Sequence, residues 1–486
     1  MNDILLLFPR PSPSSPQRNP ALSIFFPGEA AARAGFAVDY WDERFDSGAL
    51  LAAKMEHAKA FGVSALSGYQ LGRAAKLLRE CKKHYPDRPT ILGGVHATFS
   101  PQSCLAEPYI DYVVMGEGEE RLPALLSAIR RGYGWEVIDG VGYRTEEGAV
   151  RVNTRLHILN LEHRYTSPLS SRTMRYFKLA AARDEVILPT SRGCPWANKQ
   201  RACAFCSVRD QYLGTYRPVP YGRWAEDLDR LYWEVPFFRL ELQDENAAHF
   251  LTHPEYARFL YQREIKYHLH LRADQLQKIE TVQFLAQTGC QRVHVGVEAA
   301  SDRVRNDIYH KGERLEDFYN VAHLLAGYGI EGVYTFIVGA PTETREEIEQ
   351  TLRLSDELSN IHPRGMCRAT FYVLMALPGT DIYTQAEQAG WKLPHTLKEW
   401  TKVSAATNPA VPRYLNNLYY IAGLHHNRFH KTPQNFPGAW RALIAPFEAL
   451  CALRWHTRCF GGFAVERVAI EALLGIASRR NPSGPT

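Results

Sequence analysis

Short apolar runs alternate with longer amphipathic stretches over the first 145 residues. ILLLF (4–8) predicts a strand buried on both faces. Residues 21–35 predict a helix stopping at Gly35, followed by a strand over 36–42. The run FGVSALS (61–67), a helix over 71–86, the strand TILGG (90–94), the apolar stretch 110–120 and a helix over 121–132 continue the alternation. This pattern predicts an α/β domain over 1–145 with a doubly wound, Rossmann-like parallel sheet. In such sheets ligands sit at the carboxyl ends of the strands, where this chain has Gly- and Ser-rich loops.

Residues 146–182 are polar and short-patterned and read as a linker containing a small hairpin. A second alternating series begins at EVILPTS (185–191) and continues through strand-like segments near 238–246, 267–275, 289–300, 332–341 and 369–380. Helical stretches at 281–289, 314–329 and 344–358 separate them. About six strand–loop–helix units predict a partial, TIM-like (β/α)6 barrel over 183–392. Residues 393–486 change to an aromatic, His-rich composition and read as a mostly helical region covering the barrel. Within it, 418–430 and 469–480 are the clearest helical stretches, and the last eight residues read as disordered.

The chain's 486 residues, 45% hydrophobic and 22% charged, suit several globular domains and exclude wholesale disorder. A net charge of +5 without a long Lys/Arg run gives no reason to expect a nucleic-acid partner. No apolar run reaches the roughly 18 residues of a membrane span, and the start does not read as a signal peptide, so a cytoplasmic location is expected. Nine cysteines with no export signal argue against a disulfide framework.

Three of those cysteines, Cys194, Cys203 and Cys206, fall in one segment with C-x8-C-x2-C spacing, directly after a predicted strand. Three thiolates from one loop can hold three corners of a cubane iron–sulfur cluster and leave the fourth iron open to a small molecule. Zinc is the alternative, with His249 or His253 as a fourth ligand from a different strand.

The surrounding residues resemble the radical S-adenosylmethionine (SAM) superfamily. Arg192, Gly193 and Cys194, then Cys203, Phe205 and Cys206, match its cysteine loop. LRADQL (271–276), VGVEAASDRV (295–304), IVGAPTET (337–344) and ALPGT (376–380) match later family segments in order, over about 185–390. The resemblance implies a [4Fe-4S] cluster on the three cysteines. It implies SAM contacts from Phe205, Asp244, Glu245, Arg272, Glu298, Gly339 and Pro341, with Glu298 toward the ribose. The usual three-residue gap between the first two cysteines is eight here and contains Pro195, Trp196 and Lys199. That loop either reaches the active site or is a surface bulge.

The loops of 1–145 resemble the cobalamin-binding domain that precedes many radical SAM enzymes. GVSALSGYQ (62–70), ILGGVHATFSP (91–101) and DYVVMGEGEE (111–120) occur in the family's order. Gly93 and Gly94 permit close backbone approach, Ser64, Ser67 and Thr98 offer hydroxyls, and Gly116, Glu117 and Gly118 form a turn toward the corrin edge. No Asp-x-His-x-x-Gly is present, so a histidine on cobalt is not expected. Tyr69 or Gln70 is the candidate beneath the cobalt, and His96 reads as a loop hydrogen-bonder.

Together these resemblances imply a cobalamin-dependent radical SAM enzyme, foremost a C-methyltransferase acting on an unactivated carbon through a 5′-deoxyadenosyl radical and methylcobalamin. Relatives of the same design that cyclise, contract rings or oxidise keep a non-methylating reaction open, as does polar methyl transfer without hydrogen abstraction. A corrinoid-binding sensor and a zinc-structured module are the non-enzyme alternatives. A small-molecule or peptide substrate and an electron donor such as flavodoxin or ferredoxin are the expected partners.

Overall fold

A computed structural model describes residues 1–12, 20–404 except 146, 182–184, 199, 201 and 236, the positions 407–411, 415, 417, 418, 421, 422 and 425, and 438–461. The chain forms two compact units, one of residues 1–269 with 376–404 and one of 270–375 with 405–486.

The first unit opens with a seven-stranded sheet. Its strands are β1 (Ile4–Phe8), β2 (Val38–Asp42), β3 (Phe61–Ser64), β4 (Thr90–Gly93), β5 (Tyr112–Val114), β6 (Val141–Arg144) and β7 (Val150–Val152). The order is β2-β1-β3-β4-β5-β6-β7, parallel through β5 and antiparallel for the last two. The doubly wound expectation holds; the hairpin expected within 146–182 forms instead from β6, which lies before residue 146, and β7, and it extends the sheet. Leu5 and Leu7 point into a core with Phe61, Val63 and the apolar face of the helix Tyr69–His84. The helices Leu22–Arg33 and Gly118–Arg131 pack against each other. Burial on both faces explains the unbroken apolar run of β1.

The same unit continues with β8 (Glu185–Ile187), β9 (Ser191–Gly193), β10 (Tyr216–Pro218), β11 (Arg239–Glu241) and the start of β12 (Lys266–Leu271). β11 pairs in parallel with β8 and with β12, placing Leu240 beside Val186 and Tyr267. The segment expected as one strand over 185–191 is broken. Pro189 has no N–H to donate, and Asp244 captures the Thr190 N–H at 3.0 Å and its hydroxyl at 2.9 Å. β9 then leaves the barrel sheet and pairs antiparallel with β10.

Residues 376–404 return to this unit. The Ile382 N–H donates to the Ala204 carbonyl at 2.9 Å, and Arg209 grips the Asp381 carboxylate at 2.8 and 3.0 Å. Farther along, the Gly68 N–H donates to the Trp400 carbonyl, and the Trp400 indole meets His96 edge to face.

The second unit carries β13 (Cys290–Glu298), β14 (Glu331–Val338) and β15 (Cys367–Val373), all parallel. The helices Leu315–Gly327 and Arg345–Ile361 connect them. With β8, β11 and β12 they make the six parallel strands of the expected partial barrel. A helix over Gly438–His456 follows. The helical stretch expected at 469–480, the final eight residues and most of 418–430 lie outside the described residues. Among the described residues no helix is long and apolar enough to cross a membrane.

His96 is 1% exposed, and its Nδ1 lies 2.8 Å from the Ser67 hydroxyl. Burial pushes its pKa down to about 4. A histidine depressed in the folded state stabilises nothing further above its unfolded value and costs stability as the pH falls below it. The chain is expected to lose about 2 kcal/mol through this residue between pH 7 and pH 5. Urea midpoints at the two pH values check it, since His96→Gln should remove that part of the difference.

Candidate active site

β9 delivers the cysteine loop. Gly193 has φ +86°, and a side chain there would meet the Thr215 carbonyl oxygen across the β9–β10 pair. Glycine is therefore required immediately before Cys194. The Cys206 N–H donates to the Cys203 carbonyl at 3.0 Å, closing a turn between the last two cysteines. Cys194 and Cys206 pack with Ala197, Ala202, Val208 and Tyr212. Both ends of the long gap thus fold onto the cysteines, Trp196 is half-buried and Pro195 is exposed. Lys199 lies outside the described residues. All nine cysteines are free thiols.

Three cysteine sulfurs from one loop are a donor set suited to an iron–sulfur cluster. Tetrahedral zinc at about 2.3 Å from each sulfur would bring the sulfurs to roughly 3.8 Å of one another. Among the described residues, no three ligand atoms that include these sulfurs lie within 4.8 Å of one another. His249 is buried with its Nδ1 2.7 Å from the Tyr216 hydroxyl, and His253 contacts Thr252. Burial, together with the negative charge of Cys203 and Cys194, pushes the Cys206 thiol up to about 12. A positively charged metal core reverses that penalty by stabilising all three thiolates.

A cavity of 540 Å³ lies within the first unit. Its walls come from the carboxyl ends of β3, β4 and β5 on one side and from Arg192, Tyr212, Gln243 and Glu245 beside the cysteine loop on the other. It continues down between sheet and helices to Leu6, Gly62, Ile91 and Leu122. Of the corrinoid candidates, Ser64, Gln70, Gly93, Gly94, Thr98, Gly116, Glu117 and Gly118 line it. Ser67, Tyr69 and His96 do not: Ser67 and His96 bond to each other, and Tyr69 is 41% exposed. The Gln70 amide is engaged at both ends, accepting from the Leu66 N–H at 3.0 Å and donating to the Pro9 carbonyl at 3.0 Å. Thr98 donates to the Gly94 carbonyl and accepts from the Gly116 N–H, so it holds two of the loops together.

Asp244 and Glu245 diverge although adjacent. Asp244 accepts from the Thr190 N–H, the Thr190 hydroxyl and, at 2.5 Å, the Ser191 hydroxyl, and so braces the entry to the cysteine loop. Glu245 faces the cavity, and burial raises its pKa to about 7. Phe205 is half-buried in the cysteine turn.

The second unit holds the remaining candidates. Glu298 ends β13 with φ +68°, and its buried carboxylate accepts from Lys311 at 3.2 Å. Arg272 pairs with Asp274 at 3.0 Å and donates to the Lys311 carbonyl at 2.9 Å. The Gly339 and Ala340 N–H groups donate to the Glu343 carboxylate, and Pro341 is buried beside them. Burial raises the Glu343 pKa to about 7.

An ion network was absent from the sequence reading. Arg192 donates to Glu117 at 2.6 Å and to Glu119, and its guanidinium lies over the Phe26 ring, 4.8 Å from the centroid. Arg217 reaches the same Glu117 at 3.1 Å, and the Leu159 N–H donates to it at 2.8 Å. All four charged side chains are at most 15% exposed. Glu117 thus fastens the β9–β10 pair to the loop after β5. The paired acids of GEGE and the arginine of the cysteine motif were visible signals; their partnership was not.

Two family models match the chain, the B12 binding domain over residues 14–126 and the radical SAM superfamily over 188–355. The chain is a radical SAM enzyme with a B12-binding domain. It is 27% identical over 342 residues to an uncharacterized methyltransferase of Pyrococcus horikoshii, covering 68% of this chain and 71% of that protein. It is also 27% identical over 293 residues to the anaerobic magnesium-protoporphyrin IX monomethyl ester cyclase of Rubrivivax gelatinosus, 58% of this chain and about half (51%) of the cyclase. The fold is similar to that of the radical SAM methyltransferase TsrM from Kitasatospora setae, solved with cobalamin and a [4Fe-4S] cluster. That match has a TM-score of 0.63 and 19% identity, over 80% of this chain and 75% of TsrM. It is similar too to the cobalamin-dependent radical enzyme OxsB with aqua-cobalamin, with a TM-score of 0.70 and 16% identity, over 98% of this chain and 76% of OxsB.

Arg192→Met leaves Glu119 buried without its cation and Glu117 with one instead of two. Breaking a buried ion pair from one side costs about 3–5 kcal/mol. Denaturant unfolding of the variant is expected to show a loss in that range, whereas Arg223→Met, which removes an exposed pair, should change little.

Proposed function

We propose that the chain is a C-methyltransferase that uses cobalamin, SAM and a [4Fe-4S] cluster. One observation carries the reading: a single cavity is walled by the strand-end loops of the B12-binding sheet and by residues flanking the cysteine loop. A methyl carrier and a cluster-bound ligand that must act on one substrate need such a shared space. The relationship to a methyltransferase over most of both chains supports it.

When bound, the three cofactors supply one-electron cleavage chemistry and a transferable methyl group. The chain's own residues hold and order them. Cys194, Cys203 and Cys206 would hold the cluster, leaving one iron for the SAM amino and carboxylate groups. Glu298 would accept from the SAM ribose hydroxyls, and the Gly339–Pro341 turn would contact the adenine. Glu245, ionising near neutrality, faces the cavity from the cysteine-loop side. Gly93, Gly94, Thr98 and the Gly116–Gly118 turn would cradle the corrinoid, and Gln70, clamped at both ends, would line the same cavity. Leu6, Phe26 and Leu122 give the cavity apolar walls. A low-potential donor of the flavodoxin or ferredoxin type supplies electrons in the cytoplasm, and the substrate is a small molecule or peptide.

The kinship to cyclases gives a second reading, a radical reaction without methyl transfer. Product mass separates the two. The anaerobically reconstituted chain, given cobalamin, SAM, reductant and candidate substrates, is expected to release 5′-deoxyadenosine and a product heavier by one methyl group. An unchanged carbon count favours cyclisation or oxidation. Methylation without 5′-deoxyadenosine favours polar transfer.

Metal analysis tests the cofactor assignment independently of activity. About four irons and four sulfides per chain are expected, falling to background in the Cys194→Ala/Cys203→Ala/Cys206→Ala variant. Stoichiometric zinc without sulfide would overturn it.

A further inference from the structure

A charge cluster inside the second unit points to a residue that sequence reasoning passed over. Glu298 lies where β13 slips in register against β14, the shift falling between Gly296 and Glu298. Its φ of +68° is strained for a residue with a side chain. Gly296 makes room for the result: a Cβ there would meet Glu298 Oε1 and would come to 2.8 Å from Lys311 Nζ. The backbone is distorted and a side chain omitted so that this carboxylate and this ammonium can meet at 3.2 Å.

Lys311 is itself held in place. Its N–H donates to the Arg305 carbonyl and its own carbonyl accepts from Arg272, both at 2.9 Å. His310 and Gly312 on either side have φ of +53° and +67°. The Lys311 ammonium also lies 3.5 Å from Glu313, whose side chain is fully buried. Arg272 lies 3.7 Å from the same Glu313 carboxylate, and the Asp274 N–H donates to its other oxygen at 3.1 Å. Glu313 therefore has compensation besides Lys311. Glu298, with a side chain 8% exposed, has Lys311.

We propose that Lys311 is a positioning residue for SAM, orienting the Glu298 carboxylate toward the ribose hydroxyls without itself touching the ligand. This rests on the reading of Glu298 given above. A carboxylate that must accept from two hydroxyls has to be charged and aimed before the ligand arrives. Burial opposes the charge; a fixed ammonium on one oxygen restores it and removes the side chain's rotational freedom. The remaining lone pairs stay available as acceptors.

The test is SAM affinity, read by calorimetry on the anaerobically reconstituted, cobalamin-loaded chain, with iron content confirming the cluster. Lys311→Met is expected to weaken SAM binding roughly tenfold, the loss of one charge-assisted contact. Lys311→Arg should stay within about threefold of the unaltered chain, since it keeps the charge. The loss should shrink toward zero for a SAM analogue lacking the 2′-hydroxyl and in a Glu298→Gln background, because coupled residues are not additive. Lys311→Gln serves the same comparison should the Met variant fail to fold. An unchanged affinity in Lys311→Met, or an equal loss toward the deoxy analogue, overturns the proposal. Should Glu298→Gln bind SAM as tightly as the unaltered chain, the ribose reading falls and this inference with it. Should Glu298→Gln weaken binding while Lys311→Met does not, the inference alone falls.

Discussion

Arg192 is the constraint on which the first unit depends. Its guanidinium is nearly buried, so it must be paired, and its partners are Glu117, in the loop after β5, and Glu119, in the first turn of the helix Gly118–Arg131. Taking such charges out of water costs several kcal/mol per ion, and only close, multiply bonded geometry offsets it. The network meets that condition through Arg217, the Leu159 N–H and the Phe26 ring. Its energetic worth against a hydrophobic replacement is modest; its value is in geometry. Because Arg192 stands two residues before Cys194, the register that satisfies Glu117 also sets where the cysteine loop begins. The loop after β5 and the cysteine loop cannot drift apart without stranding a buried charge.

The outline of the fold was legible because its strongest signals are local. The apolar run of β1 and the period of the helix Tyr69–His84 each reflect burial of a face, and each element formed where expected. The departures came where a distant partner overrode local pattern. The stretch 185–191 has the composition of a single strand, but Asp244 takes the Thr190 backbone and Pro189 cannot bond, so it splits. A hairpin was expected within 146–182, but its first strand lies at 141–144, and nothing local says that the pair joins the parallel sheet. Nor does anything local say that 376–404 pack with the first unit, which also holds β8 and β11.

The candidate site divides in the same way. Motif residues on strand-end loops, such as Gly93, Gly94 and Gly116, line the cavity because their spacing follows from the alternation itself. Its deeper walls, Leu6 and Leu122, were read only as core, since an apolar side chain beside a ligand and one beside another side chain look identical in a sequence. Asp244 and Glu245 show the limit most plainly. The two sit in the loop that follows β11, and there the fold separates a brace, bonded three ways to Thr190 and Ser191, from a wall of the cavity. Gln70 differs from Tyr69 by burial alone, which a helix start does not reveal. Lys311 carried no signal because its meaning lies in Glu298, thirteen residues away along the chain and in contact only after folding.

The return of residues 376–404 has a consequence for biosynthesis. The segment that braces the cysteine loop, through Ile382 on Ala204 and Asp381 on Arg209, leaves the ribosome only after the whole of 270–375 has been made. Domains otherwise tend to fold as units while the chain emerges. During that interval the three thiols stand on a loop whose last support is missing. A chain halted before residue 381 therefore lacks both of these contacts to the cysteine loop.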